Sequence, residues 1–339
     1  MFLKIENNIT KNKFSKIIFM IQSKILITGS LGQIGSELSS FLKKIYGDSN
    51  VITSDLIDSN LVKEEFLPYE KLDVLDKNSI ANIVNKHKIT VIYHLAAILS
   101  ANGEKNPQLC WNININGMIN ILEIAREMGI KQVICPSSIA VFGPKTPKIN
   151  TPQETVILPN TIYGISKAAG ELICDYYVKK FNIDIRGLRY PGLISYKAPP
   201  GGGTTDYAVE IFYYALQKNH YQCFLNADTI LPMMYMEDAI RGTVELAETE
   251  FNKLSYYSNF NFAAMSFSCS ELANEIKKHL PNFTIDYQPD FRQSIADSWP
   301  SSIDDSAARK QWGWQEKFNL QIMTKTMIDN LRIKLKIKQ

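Results

Sequence analysis

The chain is predicted to be an α/β protein, a doubly wound parallel sheet followed by a smaller α/β lobe. Three observations carry that prediction. Near its start an apolar run breaks into glycines at every third position, Gly29, Gly32 and Gly35. Strand-like and helix-like stretches then alternate to about residue 195, the pattern of parallel strands joined by right-handed crossovers. From Gly201 onward the alternation loosens into helix-rich segments with short strands. The expected organisation is an N-terminal extension over residues 1–21, a sheet domain over 22–195 and a smaller substrate-binding lobe over 196–339.

The first strand reads Lys24-Ile25-Leu26-Ile27-Thr28, and after the glycines Ser36, Glu37, Leu38, Phe41 and Leu42 carry helical spacing. Strand, glycine turn and helix form the opening unit of a Rossmann-type sheet. There the first glycine permits a tight turn, the second lets a ligand approach the backbone, and the third lets helix and strand pack closely. Around Gln33 and Ile34 the helix N-terminus offers unpaired N–H groups and the positive end of its dipole, suited to a pyrophosphate. A lone glycine triplet is also compatible with an ordinary βα turn. The second apolar run, Val51-Ile52-Thr53-Ser54, ends at Asp55, twenty positions past Gly35. A carboxylate there bonds the ribose hydroxyls of an adenosine and repels a 2′-phosphate. The expected cofactor is NAD in preference to NADP.

A third short strand is expected over Leu72–Asp76, with Asp73 placed to accept from an adenine amino group, Val74 beside it, and Asp76 suited to cap a helix over 77–88. The apolar strand Val91–Ala97 ends on Leu95, Ala96 and Ala97, whose small residues leave room for a cofactor across the strand tips. Pro107 opens a helix through Met128 that Gly129 ends. Asn112, Asn114, Asn116 and Asn120 sit in it although asparagine forms helices poorly. Coding bias is the plain account of them; the sharper one has Asn114 holding the backbone of a neighbouring strand beside the cofactor. A strand over Gln132–Cys135 runs into Pro136-Ser137-Ser138, and four prolines make 143–160 an irregular surface loop. A helix over 161–181, a strand over 184–189 and a turn through Pro191 and Gly192 follow. Leu193, after that turn, completes the expected cofactor-binding set.

The helix over 161–181 carries Tyr163 and Lys167, an i, i+4 pair on one face. An ammonium near a phenol favours the phenolate, which can then take a proton from an alcohol. Ser138, 25 positions upstream of Tyr163, ends a strand and is placed to hold the substrate hydroxyl. A surface ion-and-phenol pair is the alternative for an isolated Tyr-x-x-x-Lys.

Together Gly29-x-x-Gly32-x-x-Gly35, Asp55, His94-Leu95-Ala96-Ala97, Ser138 and Tyr163-x-x-x-Lys167 resemble the extended short-chain dehydrogenases, which include sugar-nucleotide epimerases and dehydratases. That resemblance covers about residues 22–195. Three further strings, Pro200 to Ala208, Leu231 to Met236 and Asp297 to Ser306, resemble the metal-independent, short-chain L-threonine 3-dehydrogenases and extend the likeness to about residue 315. The resemblance implies NAD-dependent oxidation of the threonine β-hydroxyl to 2-amino-3-oxobutanoate, in threonine catabolism, by a homodimer. Catalysis is then expected from Tyr163, Lys167 and Ser138. Substrate contacts are expected from Ser100, Ser138, Tyr163, Gly202, Gly203, Thr204 and Thr205, with the glycine run offering backbone N–H groups to a carboxylate. The glycine run also suits a hinge. Trp299 fits either a lid or the core, and Met233, Met234 and Met236 suit packing between lobes.

Composition narrows the partners. An apolar share of 45%, a charged share of 21% and a net charge of +3 describe an ordinary globule with no case for nucleic acid or a membrane surface. Five scattered cysteines without Cys-x-x-Cys, and four histidines without a paired spacing, point to no metal and to a reducing compartment. No apolar run reaches the ~20 residues that span a bilayer. Residues 1–19, with four lysines against one acid, make a mitochondrial matrix address the alternative to a cytoplasmic one. The rival activities are a sugar-nucleotide epimerase or dehydratase, which would need arginines in the smaller lobe for a diphosphate, and a non-catalytic NAD-binding regulator.

Overall fold

The structure is a computed structural model describing residues 23–201 and 203–337; the extension read over residues 1–21, and Gly202, lie outside them. The chain opens with β1 (Ile25–Thr28), α1 (Gln33–Tyr46), β2 (Val51–Asp55), β3 (Tyr69–Lys71), α2 (Lys77–His87) and β4 (Val91–His94). After α3 (Ser100–Lys105), one continuous helix runs as α4 (Pro107–Trp111), a π-helical turn (Asn112–Gly117) and α5 (Met118–Met128). Next come β5 (Gln132–Ile134), the short β6 (Ser137–Ser138), α6 (Ile162–Phe181) and β7 (Asp184–Arg186). Six strands lie side by side as β3-β2-β1-β4-β5-β7, every pair parallel. The order reverses between β1 and β4, and a sheet of this kind takes its ligand in the crevice outside the strand tips at such a reversal.

Strand alternation divides the core. Ile25 and Ile27 pack with Leu38, Leu42 and Tyr93 on one face, while Leu26 packs with Ile80, Ile92 and Leu122 on the other. Both faces are covered by helices, which is why these strands are apolar throughout.

Beyond β7 the chain continues through β8 (Leu188–Tyr190), β9 (Gly192–Ile194), α7 (Tyr207–Lys218), β10 (His220–Cys223), β11 (Ile230–Tyr235), α8 (Met236–Glu248) and β12 (Phe260–Asn261). It closes with β13 (Met265–Ser268), α9 (Cys269–His279), β14 (Thr284–Tyr287), α10 (Arg292–Ser298), α11 (Ser306–Trp312) and α12 (Leu320–Leu335). Three small sheets form here, β12-β8-β6, β13-β11-β9 and β10-β14. A third core joins Phe212, Leu272 and Met327 to Ile139, Phe142 and Tyr163. Met233 is buried in that core, and Met234 and Met236 in the one beneath the large sheet.

Several expected elements shift. The third strand is Tyr69–Lys71 and not 72–76. Asp73 takes the Leu75 N–H on its own carboxylate at 2.9 Å, a turn that ends extension there, while Asp76 caps α2 through Ser79 N–H at 3.1 Å. β4 stops at His94, three residues short of the expected end, after which the Leu95 N–H donates to Thr28 O at 3.1 Å. The strand expected over 184–189 is two strands in two sheets. They part at Gly187, where a Cβ would run into the Cys135 carbonyl oxygen.

Candidate active site

A cavity of about 230 Å³ opens at the tips of β1 and β4. On the side of the glycine turn it is shaped by backbone. Gly29 sits at φ +68°, and a Cβ there would lie 2.7 Å from Ala96 N. At Gly35 a Cβ would run into the Gly29 carbonyl oxygen, so α1 can pack this close to the turn only with glycine in place. The N-cap of α1 is Gly32, with no side chain spent on the helix start, and the buried Gln33 Nε2 has no partner. Open N–H groups and an unpaired donor at a helix N-terminus fit a pyrophosphate.

The cavity gathers Gly29, Gly32, Gln33, Ile34, Gly35, Leu95, Ala97, Ser100, Ser138, Tyr163, Lys167, Leu193, Gly203, Thr204 and Thr205 from the expected site. Asp55, Asp73, Val74, Ala96 and Asn114 are outside its lining. Asp55 borders the turn instead, its carboxylate accepting from Leu31 N–H at 3.1 Å and Leu56 N–H at 2.8 Å. Asn114 bonds the chain past β4 from both ends of its amide, accepting from Ile98 N–H at 2.8 Å and donating to Ile98 O at 3.1 Å. It also donates to Ser166 Oγ at 3.1 Å, which ties the π-helical turn to α6.

Tyr163 is buried near the N-terminus of α6, whose N-cap Thr161 accepts from Gly164 N–H. Lys167 Nζ stands 5.8 Å from the centre of the Tyr163 ring and donates to Pro136 O at 2.9 Å. Ser138 Oγ accepts from Ala140 N–H at 3.2 Å, which leaves its hydroxyl proton to donate elsewhere. Beside it, Ser137 donates to Glu171 at 2.5 Å, and Arg189 grips the same carboxylate at 2.9 and 2.8 Å. This buried pair fixes α6 against the strand end that carries both serines. Thr204 Oγ1 is buried without a partner. The Gly203 N–H is engaged by Asp206 at 2.7 Å, so the three-glycine anion nest lacks that donor.

Residues beyond the expected set also line the cavity, among them His94, Asp206 and Trp299. His94 Nδ1 is 2.9 Å from Thr28 Oγ1, and burial together with the Lys167 charge pushes its pKa down to about 3, so the imidazole is neutral. His94 belongs to the His94-Leu95-Ala96-Ala97 string of the resemblance, but the strand pattern by itself assigns the imidazole no role at the cavity. Asp206 and Trp299 lie in the strings Pro200 to Ala208 and Asp297 to Ser306 that carry the resemblance, and Trp299, read as lid or core, is a buried residue that also lines the cavity. No group of three or more metal-ligating side chains occurs among the described residues.

Known proteins share this fold. Residues 25–259 match the model of the NAD dependent epimerase/dehydratase family. An uncharacterized epimerase/dehydratase of Staphylococcus aureus is 45% identical over 317 residues, 93% of this chain and 98% of its own. Among solved structures, the holo form of a GalE-like L-threonine dehydrogenase from Cupriavidus necator is 52% identical, with a TM-score of 0.89 over 91% of this chain and 99% of that one. A monomeric L-threonine 3-dehydrogenase from a metagenome, in its apo form, is 51% identical, with a TM-score of 0.88 over the same shares. The chain belongs to the NAD dependent epimerase/dehydratase family.

Proposed function

We propose that this protein oxidises the β-hydroxyl of L-threonine to L-2-amino-3-oxobutanoate, with NAD as acceptor. The reading is carried by one arrangement: a buried phenol, an ammonium, a serine hydroxyl and an unpaired threonine hydroxyl share the cavity that the glycine turn floors. Tyr163 takes the alcohol proton, and Lys167 supplies positive charge beside the phenol. Ser138 hydrogen-bonds the same substrate oxygen and orients it. Ser100, Thr204 and Thr205 contact the amino-acid end, and Asp206 is the one carboxylate in the described lining. Bound here, NAD would supply the acceptor for the hydride from Cβ. Gly29 to Gly35, Asp55 and Leu193 would hold it, with Asp73, Val74 and Leu95 to Ala97 along the strand tips and Asn114 supporting the wall behind.

A nucleotide-sugar substrate is less well served. Lys167 is the one permanent cation in the described lining. In the C-terminal half Arg241 pairs with Asp238 and Glu245, Arg292 with Asp290, and Arg309 with Asp305 and Glu316. Among the described residues no arginine lines the cavity. The homodimer implied by the family resemblance is supported by exposed apolar side chains on α4 and α6, Leu109, Trp111, Leu172 and Tyr176; sedimentation of the purified protein tests it. For the activity, purified protein is given NAD with threonine, or NAD with a nucleotide sugar, while NADH absorbance is followed. Production with threonine alone is expected. NAD binding without turnover would leave the regulator reading instead.

A further inference from the structure

The proline-rich loop 143–160 joins the strand end carrying Ser138 to the helix carrying Tyr163, and its middle is firmly paired. The Lys148 carbonyl accepts from the Ser301 N–H at 2.8 Å and the Ser301 hydroxyl at 2.9 Å. Thr151 donates its N–H to Ser302 O and accepts from Asp304 N–H, each at 3.0 Å, in a parallel bridge with Ile303. Upstream of this pairing, the Lys148 ammonium reaches the carbonyls of Asp297 and Trp299 at 2.5 and 2.9 Å. Those carbonyls close α10, where a helix leaves its acceptors unpaired and favours a cation. Trp299, the C-cap of α10, is 6% exposed and lines the cavity with Ser138, Tyr163 and Thr204. Pro300 restricts the tryptophan to extended backbone, observed at φ −91° and ψ 160°.

We propose that Lys148 is a positioning residue that fixes the end of α10, so that the Trp299 indole walls the substrate cavity and limits the side chain it admits. The proposal rests on the amino-acid oxidation argued above. Pro300 presets the backbone direction and the ammonium locks it. The lysine and the tryptophan wall are 151 residues apart in sequence. The loop that spaces Ser138 from Tyr163 thereby also places the wall facing their substrate.

Lys148→Met keeps the apolar stem and removes the donors, whereas Lys148→Arg returns them. With threonine, Lys148→Met should raise KM about tenfold and hold kcat within about threefold, the mark of lost substrate binding in ground and transition state alike. Relative kcat/KM for a bulkier β-hydroxy amino acid, β-phenylserine, should rise about tenfold over threonine. Lys148→Arg should restore both, and NAD affinity should stay put in all three proteins. Unchanged KM and selectivity, or NAD affinity falling with them, would overturn the proposal. A second measurement needs no turnover. Acrylamide quenching due to Trp299, taken as the difference between each protein and its Trp299→Phe counterpart, should rise in Lys148→Met and return in Lys148→Arg. Equal quenching removes the positioning role. Altered quenching without threonine turnover upholds the lock and sinks the substrate assignment alone.

Discussion

Gly29 and Trp299 line one cavity and reach it by different means. Gly29 belongs to a run of consecutive residues whose shape is set by what is missing, since a Cβ at Gly29 or Gly35 has nowhere to go. Trp299 arrives from the far end of the chain, held by hydrogen bonds from Lys148 and the residues after it. The proposed cofactor floor is thus local and made of backbone. The proposed substrate wall is assembled from side chains on segments that are distant in sequence. If this contrast is sound, damage to the wall should change chemistry and selectivity while sparing NAD, and damage to the floor should cost cofactor binding or stability.

The sharpest separation is expected at Tyr163. Tyr163→Phe keeps the ring and removes the proton acceptor, so kcat should fall by about 10³-fold, with NAD affinity by fluorescence titration near that of the parent protein. Substantial remaining turnover would identify another base.

His94 comes next, on the floor. Its folded pKa of about 3 lies below the 6.5 of an unfolded histidine. The unfolded chain therefore binds a proton that the folded one refuses, and stability is lost as pH falls through that window. The contribution is of order 4 kcal/mol at its acid end. Urea melts of the parent and of His94→Asn between pH 7 and pH 4 check it, the variant showing the flatter dependence. Parallel slopes would mean that His94 is not held neutral.

Gly35→Ala should cost about 3 kcal/mol of stability, since the new methyl meets a backbone carbonyl; a melting temperature within a degree of the parent would contradict the packing. The smallest effect is expected at Asp55→Ala, about a tenfold relaxation of the NAD to NADP preference. An unchanged cofactor ratio would remove that carboxylate from recognition.

The same contrast governs how much could be read from the sequence. β1, the glycine turn, Asp55 at the end of β2 and the Tyr163–Lys167 face of α6 are short-range patterns, and the structure sets the glycines, Tyr163 and Lys167 at one cavity. The third strand lies at Tyr69–Lys71 and not at 72–76, although Leu72, Val74 and Leu75 look extended in isolation. Register with β2 at Thr53 and Tyr69, and the Asp73 turn, decide the matter. The strand over 184–189 looked continuous because Gly187 alone does not announce that Cys135 will crowd it. Lys148 carried no signal, since a lysine in a proline-rich loop becomes a lock only when residues 297–304 lie beside it.

The π-helical turn between α4 and α5 holds one consequence more. Its winding is wider than α, and at Gly117 a Cβ would come within 2.7 Å of the Val74 side chain. Deleting one residue there to regain α winding would swivel the N-terminal half of that helix by about 100° relative to the other. Asn114 would part company with Ile98, and α4 would present a different flank to α6. The surplus residue works as a phase adjuster, letting a single rod pack on the sheet at one end and on the helix that carries Tyr163 at the other.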